Sequence, residues 1–385
     1  MADHSSIEWT DATWNPITGC SIVSPGCTNC YAMKLAGTRL KHIDSRKGLT
    51  RDTKAGPVWT GEVRLNRQWL HQPLDWKKPR RIFVCAHGDL FAENVPDGWI
   101  LDVFTVMAAA DHHTYQVLTK RADRMREFLS RRDLLEDIYV NWFTFTGKPA
   151  EVYSWPLHNV WCGVSAEDQK RADERVPELL ATPAAIRFVS AEPLLGPIRF
   201  DRIGEFTDTF EDCGGHPDPH WPANAQDATW LNAPAGKMQA EARDPSGNRL
   251  GDIDVGLPHD GGKLDWIIVG GESGPGARPM HPAWARSIRD QCAASGTAFF
   301  FKQWGEWAPQ IGAVDGWTLD DNPEISRFEH REWEDGRWSE PFWPMWCDWQ
   351  DGNYDEEQCV SRIGKKRAGR LLDGVEHNAM PGVSA

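Results

Sequence analysis

No apolar run in the 385-residue chain approaches the roughly 20 residues that a membrane-spanning helix needs, so no membrane association is expected. The opening "MADHSSIEWTDATW" has no basic start followed by a greasy stretch, so no secretory leader is expected. There is no internal repeat, no G-x-G-x-x-G and no convincing nucleophilic triad. "GGESGPG" (270–276) offers amides to an anion but lacks the Lys-Ser/Thr of a nucleotide P-loop, which argues against nucleoside triphosphate binding. Positive charge is short. Lys and Arg number 42 against 56 Asp and Glu, and the net charge of −14 argues against indiscriminate binding to nucleic acid. The nine cysteines are an odd number, with no small disulfide framework among them. With no leader expected, they point to a reducing cytoplasm, where clustered thiols are metal ligands rather than cross-links.

What is present has the balance of a globular protein: 40% hydrophobic and 25% charged residues, enough for one large domain with insertions or for two domains. Charge is uneven. Segments 38–54, 77–81, 119–132 and 364–370 are basic, while the acid lies mostly in 201–260 and 315–357. A basic face and an ordinary solvated surface are equally good readings of those segments.

Seven apolar runs have the continuous hydrophobicity of strands covered on both faces: "VRLN" (63–66), "RIFVCA" (81–86), "YQVLT" (115–119), "NVWCGVS" (159–165), "AIRFVS" (185–190), "LDWIIVGG" (264–271) and "AFFFKQW" (298–304). Helical patterns fall between many of them, at 98–110, at 165–180 with Ser165 as cap, and at 281–296 ending on Gly296. An initial strand around "TWNPIT" brings the count to about eight. The expected fold is α/β, a (β/α)8 TIM-type barrel, whole or partial, with an open doubly wound sheet as the alternative. The barrel would span 1–307, with a cysteine loop at 19–31 and a long Gly/Pro/Asp-rich loop insertion at 201–262. A Trp-rich, acidic extension (308–385) would hold a small antiparallel ribbon and pack on the barrel.

Each apolar run stops at polar residues: His87 and Asp89; Thr119, Lys120 and Arg121; Ser165 and Glu167; Ser190 and Glu192; Gly270, Gly271, Glu272, Ser273 and Arg278; Lys302, Gln303 and Glu306. In a parallel barrel these ends share one rim, where barrel enzymes keep their chemistry. Taken singly, each serine reads equally well as a helix cap.

"GCSIVSPGCTNCYA" puts Cys20, Cys27 and Cys30 on a Gly/Pro-rich loop at that rim. Zinc needs a fourth ligand, for which His4, His42, Cys213, His216 and His220 are candidates. A [4Fe–4S] cluster on three thiolates leaves one iron free to bind a small chelating molecule such as S-adenosylmethionine. Cys85, Cys162 and Cys292 sit in apolar stretches and read as buried small hydrophobes.

The loop resembles the cluster loop of the radical S-adenosylmethionine superfamily, with a first gap of six residues in place of the usual three and with Asn29 before the third cysteine. The chain as a whole resembles a bacterial and phage family named after mycobacteriophage gene products thirty-seven and sixty-eight. That resemblance rests on "TWNPITGCSIVSPGCTNCYA", "FVCAHGDLF", "LTKRADRM", "WCGVSAEDQ", "FVSAEPLLGPI", "WIIVGGESGPGARPM", "FFFKQWGEW" and "GKKRAGRLLDG".

The resemblance implies a radical S-adenosylmethionine enzyme that generates a 5′-deoxyadenosyl radical. Cys20, Cys27 and Cys30 would hold the [4Fe–4S] cluster. Tyr31, Asp89, Thr119, Ser165, Ser190, Gly270, Gly271 and Glu272 would line the S-adenosylmethionine site. Lys120, Glu167 and Glu192 would be the catalytic groups, with Lys302 and Arg278 available to an anionic substrate. The expected substrate is a nucleic acid or a nucleotide-derived base, modified or repaired. A flavodoxin or ferredoxin would donate electrons, and a partner protein is a further expectation. The alternatives are a zinc-stapled nucleic-acid-binding module without catalysis, and a hydrolase using Asp89, Glu167 and Glu192 as acid and base.

Overall fold

Six of the seven continuous apolar runs join one parallel sheet, because strands with helices on one face and a packed core on the other lose water from both. In the computed structural model, residue 5 and residues 7–149, 154–206, 225–243, 249–254, 262–309, 328–342 and 358–382 are described. The sheet has seven strands: β1 (Ala12–Trp14), β2 (Arg81–Val84), β3 (Thr114–Thr119), β4 (Val160–Ser165), β5 (Ile186–Ala191), β6 (Trp266–Gly270) and β7 (Ala298–Gln303). They lie side by side in chain order, and every neighbouring pair is parallel. The intervening helices are α1 (Tyr31–Gly37), α2 (Asp97–Ala109), α3 (Ala122–Leu129), α4 (Leu134–Thr146), α5 (Gln169–Leu180) and α6 (Pro282–Ser295). Among the described residues no helix is long and apolar enough to cross a membrane.

Alternation along each strand sorts the two faces. Ile82, Val84, Tyr115, Val117, Cys162, Val164, Val189, Ile267, Val269 and Phe301 point outward into the main core under the helices. Phe83, Phe188, Trp266, Ile268 and Phe300 point inward and pack with Trp9. Trp9 shows that the sheet curls. Its ring centroid is 4.9 Å from that of Phe83 on β2 and 6.1 Å from that of Trp266 on β6. Four strand spacings of a flat sheet would hold those two residues about 19 Å apart, which one indole cannot bridge. The architecture is therefore a curled half-barrel. Among the described residues β1 and β7 are edges that do not pair with each other.

Two expectations change here. "VRLN" is not a sheet strand: Arg64–Leu65 pairs antiparallel with Ile17–Thr18. Its polar residues alternate with Val63 and Leu65, the pattern of a ribbon covered on one face only. Ser165 caps no helix. It ends β4, and α5 starts only after Asp168, whose carboxylate accepts the Arg171 N–H at 2.9 Å.

The 201–262 insertion is not a structureless loop, since its described parts build a four-stranded antiparallel sheet from Ile203–Phe206, Ala225–Asn232, Lys237–Arg243 and Arg249–Asp254. The expected ribbon in the extension is a second such sheet. It contains Trp307–Pro309, Cys359–Arg362, His330–Glu334 and Arg337–Trp338. It is anchored by Trp284 of α6 against Trp333 and by the Trp307 indole donating to the Ala277 carbonyl. Ile363, Ala368 and Leu372 join the main core, so this end of the chain belongs to the same packed body.

Candidate metal centre

After Pro16 and the short Ile17–Thr18 pairing, the chain reaches Gly19. Its φ is +97°, and a Cβ there would lie 2.1 Å from the Glu62 carbonyl oxygen, so only glycine fits. Cys20 follows. Pro25–Cys27 is one 3-10 turn, and Cys30 stands immediately before α1. The loop is tied to the C-terminal ends of four strands. The Tyr31 phenol donates to the Ala86 carbonyl beyond β2, and its ring meets His87 edge-on at 6.0 Å. Beyond β3, Arg121 Nη1 reaches Cys20 Sγ at 3.4 Å and its Nη2 reaches the Ser21 carbonyl at 3.1 Å.

Beyond β4, the fully buried Glu167 carboxylate accepts the Gly26 N–H at 3.1 Å and Arg175 Nη1 at 3.0 Å. Beyond β6, Glu272 accepts Asn29 Nδ2 at 2.9 Å, while Arg278 pairs with Glu272 at 2.7 Å and donates to the Pro25 carbonyl at 3.0 Å. A loop that touches β2, β3, β4 and β6 ends at once lies across the mouth of the half-barrel.

The thiols share one electrostatic environment. Burial pushes Cys20 up to about 12; Asp89 reinforces this, Arg121 opposes it, and negative charge on Cys27 or Cys30 would raise it further. Ser24 Oγ lies 3.9 Å from Cys27 Sγ. Among the described residues no group of three or more His, Cys, Asp or Glu is arranged to hold one metal ion. The three thiols are therefore not a single-ion site as they stand. A cubane presents separate irons to its cysteines, so three coupled, part-buried thiols on one clamped loop fit it by donor chemistry. His4, Cys213, His216 and His220 lie outside the described residues; His42 is exposed.

The other expected site residues fall into two sets. Asp89 and Thr119 form a buried brace: Thr119 Oγ1 donates to Asp89 at 2.7 Å, and Asp89 pairs with Arg121 at 3.1 Å. Gly271 is a packing position, since a Cβ there would meet the Trp304 carbonyl oxygen at 1.9 Å. Glu167 and Glu272 hold the cysteine loop, and their cation and amide partners keep both carboxyls below the ordinary range against the pull of burial.

The second set faces the mouth. Glu192 pairs with Lys302 at 3.0 Å and accepts Ser190 Oγ at 3.2 Å. Gly270 lies beside it on β6, where a Cβ would be 2.5 Å from Glu192 Oε1. Ser165 ends β4 on the same inward face. Lys120 lies close enough to Glu167 for its charge to act there, and its ammonium makes no ion pair among the described residues. Burial raises the Tyr31 phenol, and negative charge on Cys30 and, less, on Glu192 adds to it, so the Cys30 end of the loop and the Glu192–Lys302 pair stand within electrostatic reach.

Sequence reasoning missed Arg121 as a thiol contact, and missed Arg175, Asn29 and Glu93, which pairs with Arg121 at 3.0 Å and accepts from the Ser21 hydroxyl. Asn29, between two cysteines, was the one with a legible signal. Cys85, Cys162 and Cys292 lie in the main core, and burial pushes each thiol up to about 12.

No curated protein and no solved structure matches the chain. The match to a family covers residues 4–381, nearly the whole sequence, and on it the chain belongs to the family described as "Protein of unknown function (DUF5131)".

Proposed function

We propose that the protein is a radical S-adenosylmethionine-type enzyme, with a [4Fe–4S] cluster on Cys20, Cys27 and Cys30. The observation that carries this is the placement of the three-cysteine loop. It is fastened to four strand ends across the mouth of a curled parallel sheet, with thiols that feel one another's charge. When bound, the cluster supplies the electron that cleaves S-adenosylmethionine reductively.

The chain's own residues do the rest. Arg121 donates to the Cys20 sulfur and offsets part of the added negative charge. Glu167 and Glu272 fix the loop through Gly26 and Asn29. Glu192, Ser190, Lys302 and Lys120 line the mouth and bind and orient the substrate. Two lysines favour an anionic substrate, which agrees with a nucleotide-derived one. The inward wall of Trp, Phe and Ile below them excludes water. In this reading the fold is an incomplete TIM-type barrel, the site is cytoplasmic, and a flavodoxin or ferredoxin supplies the electron.

The test is anaerobic reconstitution with iron and sulfide. About four irons per chain are expected, with 5′-deoxyadenosine formed from S-adenosylmethionine under a reductant. Both are lost in Cys27→Ala and kept in Cys162→Ala. A preparation that takes one zinc and no iron ends this reading. Recovery of nucleic acid from protein purified without oxygen tests the substrate class.

A further inference from the structure

Segment 38–54 is basic and mostly exposed, but one of its cations is not. Arg46 is only 5% exposed. Its Nη1 donates to Ser45 Oγ at 2.8 Å and to the Ser45 carbonyl at 3.3 Å. Among the described residues its Nε–H is buried with no partner and it makes no salt bridge. A buried guanidinium without an anion is costly, because desolvation is not offset by any opposite charge.

Its surroundings increase that cost. Arg64 lies near enough for the two cations to repel; after burial, this is what brings Arg46 down to about 10. Among the described residues Arg64 is itself held by the Asp44 and Lys47 carbonyls alone. A second orphan is close by. Among the described residues His87 Nδ1 is buried without a partner; Thr18 Oγ1 donates to the Ser45 carbonyl at 2.7 Å and the next residue, Gly19, donates its N–H to the His87 carbonyl at 3.2 Å, so Arg46 and His87 flank one short segment, and His87 feels the charge of Arg46. Tyr31 packs its ring edge-on to His87, its phenol held on the Ala86 carbonyl, and is itself 51% exposed, so the residue that covers His87 borders solvent.

We propose that Arg46 and His87 form an oxyanion site, taking the carboxylate or phosphate group of a small molecule that enters beside Tyr31. The anion accepts the Arg46 Nε–H and the His87 Nδ1–H, so both buried orphans are satisfied by one ligand, and the repulsion between Arg46 and Arg64 is relieved. The site does not require iron on the cysteines, so it goes beyond the reading above and is tested apart from it.

The test is thermal unfolding of wild type, Arg46→Met and Arg46→Lys at constant ionic strength, with inorganic phosphate or acetate as probe. Wild type gains a saturable rise in Tm with at least one probe. A response to phosphate alone assigns a phosphate-bearing ligand; a response to acetate as well assigns a carboxylate. Arg46→Met, which keeps the buried stem and drops the charge, melts at or above wild type in anion-free buffer and loses the response. Arg46→Lys keeps part of it.

A wild type indifferent to both probes overturns the proposal, as does an equal response in Arg46→Met. A large fall in Tm for Arg46→Met alone would make Arg46 a structural residue. A measurement on wild type covers the case in which that variant does not fold: the His87 ring nitrogen signal, assigned with His87→Gln, must move as phosphate is added, and a stationary signal rejects the site.

Discussion

Glu167→Gln is the substitution that best tests how the cysteine loop is held. Glu167 is fully buried, and its oxygens accept from the Gly26 N–H and Arg175. Glutamine keeps the shape and one acceptor oxygen but removes the charge. Arg175, 6% exposed, then has no anion; its remaining contact is the Ser165 carbonyl at 2.8 Å. Removing one partner of a buried pair costs about 3–5 kcal/mol, and the isostere recovers part of it, so a loss of about 3 kcal/mol is expected.

Part of the loss should be local, because the Gly26 amide loses its charged acceptor one residue before Cys27. Urea unfolding measures the global change, and alkylation of Cys27 in native buffer measures the local one. The expectation is a lower midpoint with unchanged slope, and Cys27 labelling at least tenfold faster, while Cys162 stays protected. If stability falls by less than about 0.5 kcal/mol, as for an ordinary surface change, or if Cys27 labels at the wild-type rate, Glu167 does not hold the loop.

Gly271→Ala should be among the most damaging small substitutions. The new methyl would lie 1.9 Å from the Trp304 carbonyl oxygen, a backbone atom that cannot swing away. A loss of about 3 kcal/mol, the upper end of the usual range for overpacked sites, is expected in thermal melts; a change of under 1 kcal/mol would mean that β6 and β7 end differently. Asp373→Asn probes the far side. Asp373 pairs with Arg289 at 2.6 Å and Arg286 at 2.8 Å, and those partners hold its carboxyl below 3.8. A depressed carboxyl contributes stability above its unfolded value and loses it as pH falls through the lower folded one. The variant should therefore be about 0.5–1 kcal/mol less stable than wild type at pH 7, a size suited to a part-exposed pair. The gap should narrow as pH falls below 3.8. A constant gap across that range would assign the effect to packing.

The sheet was legible because burial on both faces writes a continuous apolar run, and six of the seven runs named from sequence are strands of it. The seventh misled because "VRLN" is short enough for alternation and continuity to look alike. The insertion hid its strands for a different reason. Antiparallel strands with a wet face carry Asp, Arg and Gly, as "RLGDID" (249–254) does, and read as loop. At the rim the residue types were legible and their assignments were not. Asp89, Glu167, Glu192 and Glu272 all follow strands, and nothing local separates them. Their partners do: Arg121 for Asp89, Arg175 for Glu167 and Arg278 for Glu272. The first two partners are buried and the third sits against the loop; Lys302 beside Glu192 faces the mouth.

That difference in partners divides the rim into a frame and a working surface. A planar guanidinium that makes two or three directed hydrogen bonds holds a carboxylate in place. Arg121 and Arg278 do this while also gripping the loop, through Ser21 and Pro25 respectively. A lysine is a point charge on a flexible stem that can change partners without rebuilding its surroundings. Among the described residues Lys302 has one carboxylate and Lys120 has no ion pair; Lys302 lies on β7 two residues past Phe300 of the aromatic wall, and Lys120 follows the end of β3. On the proposed function, the arginines belong to the support of the thiols and the lysines to the substrate. Substituting an arginine should register first in thiol exposure, and substituting a lysine first in ligand affinity with stability nearly unchanged.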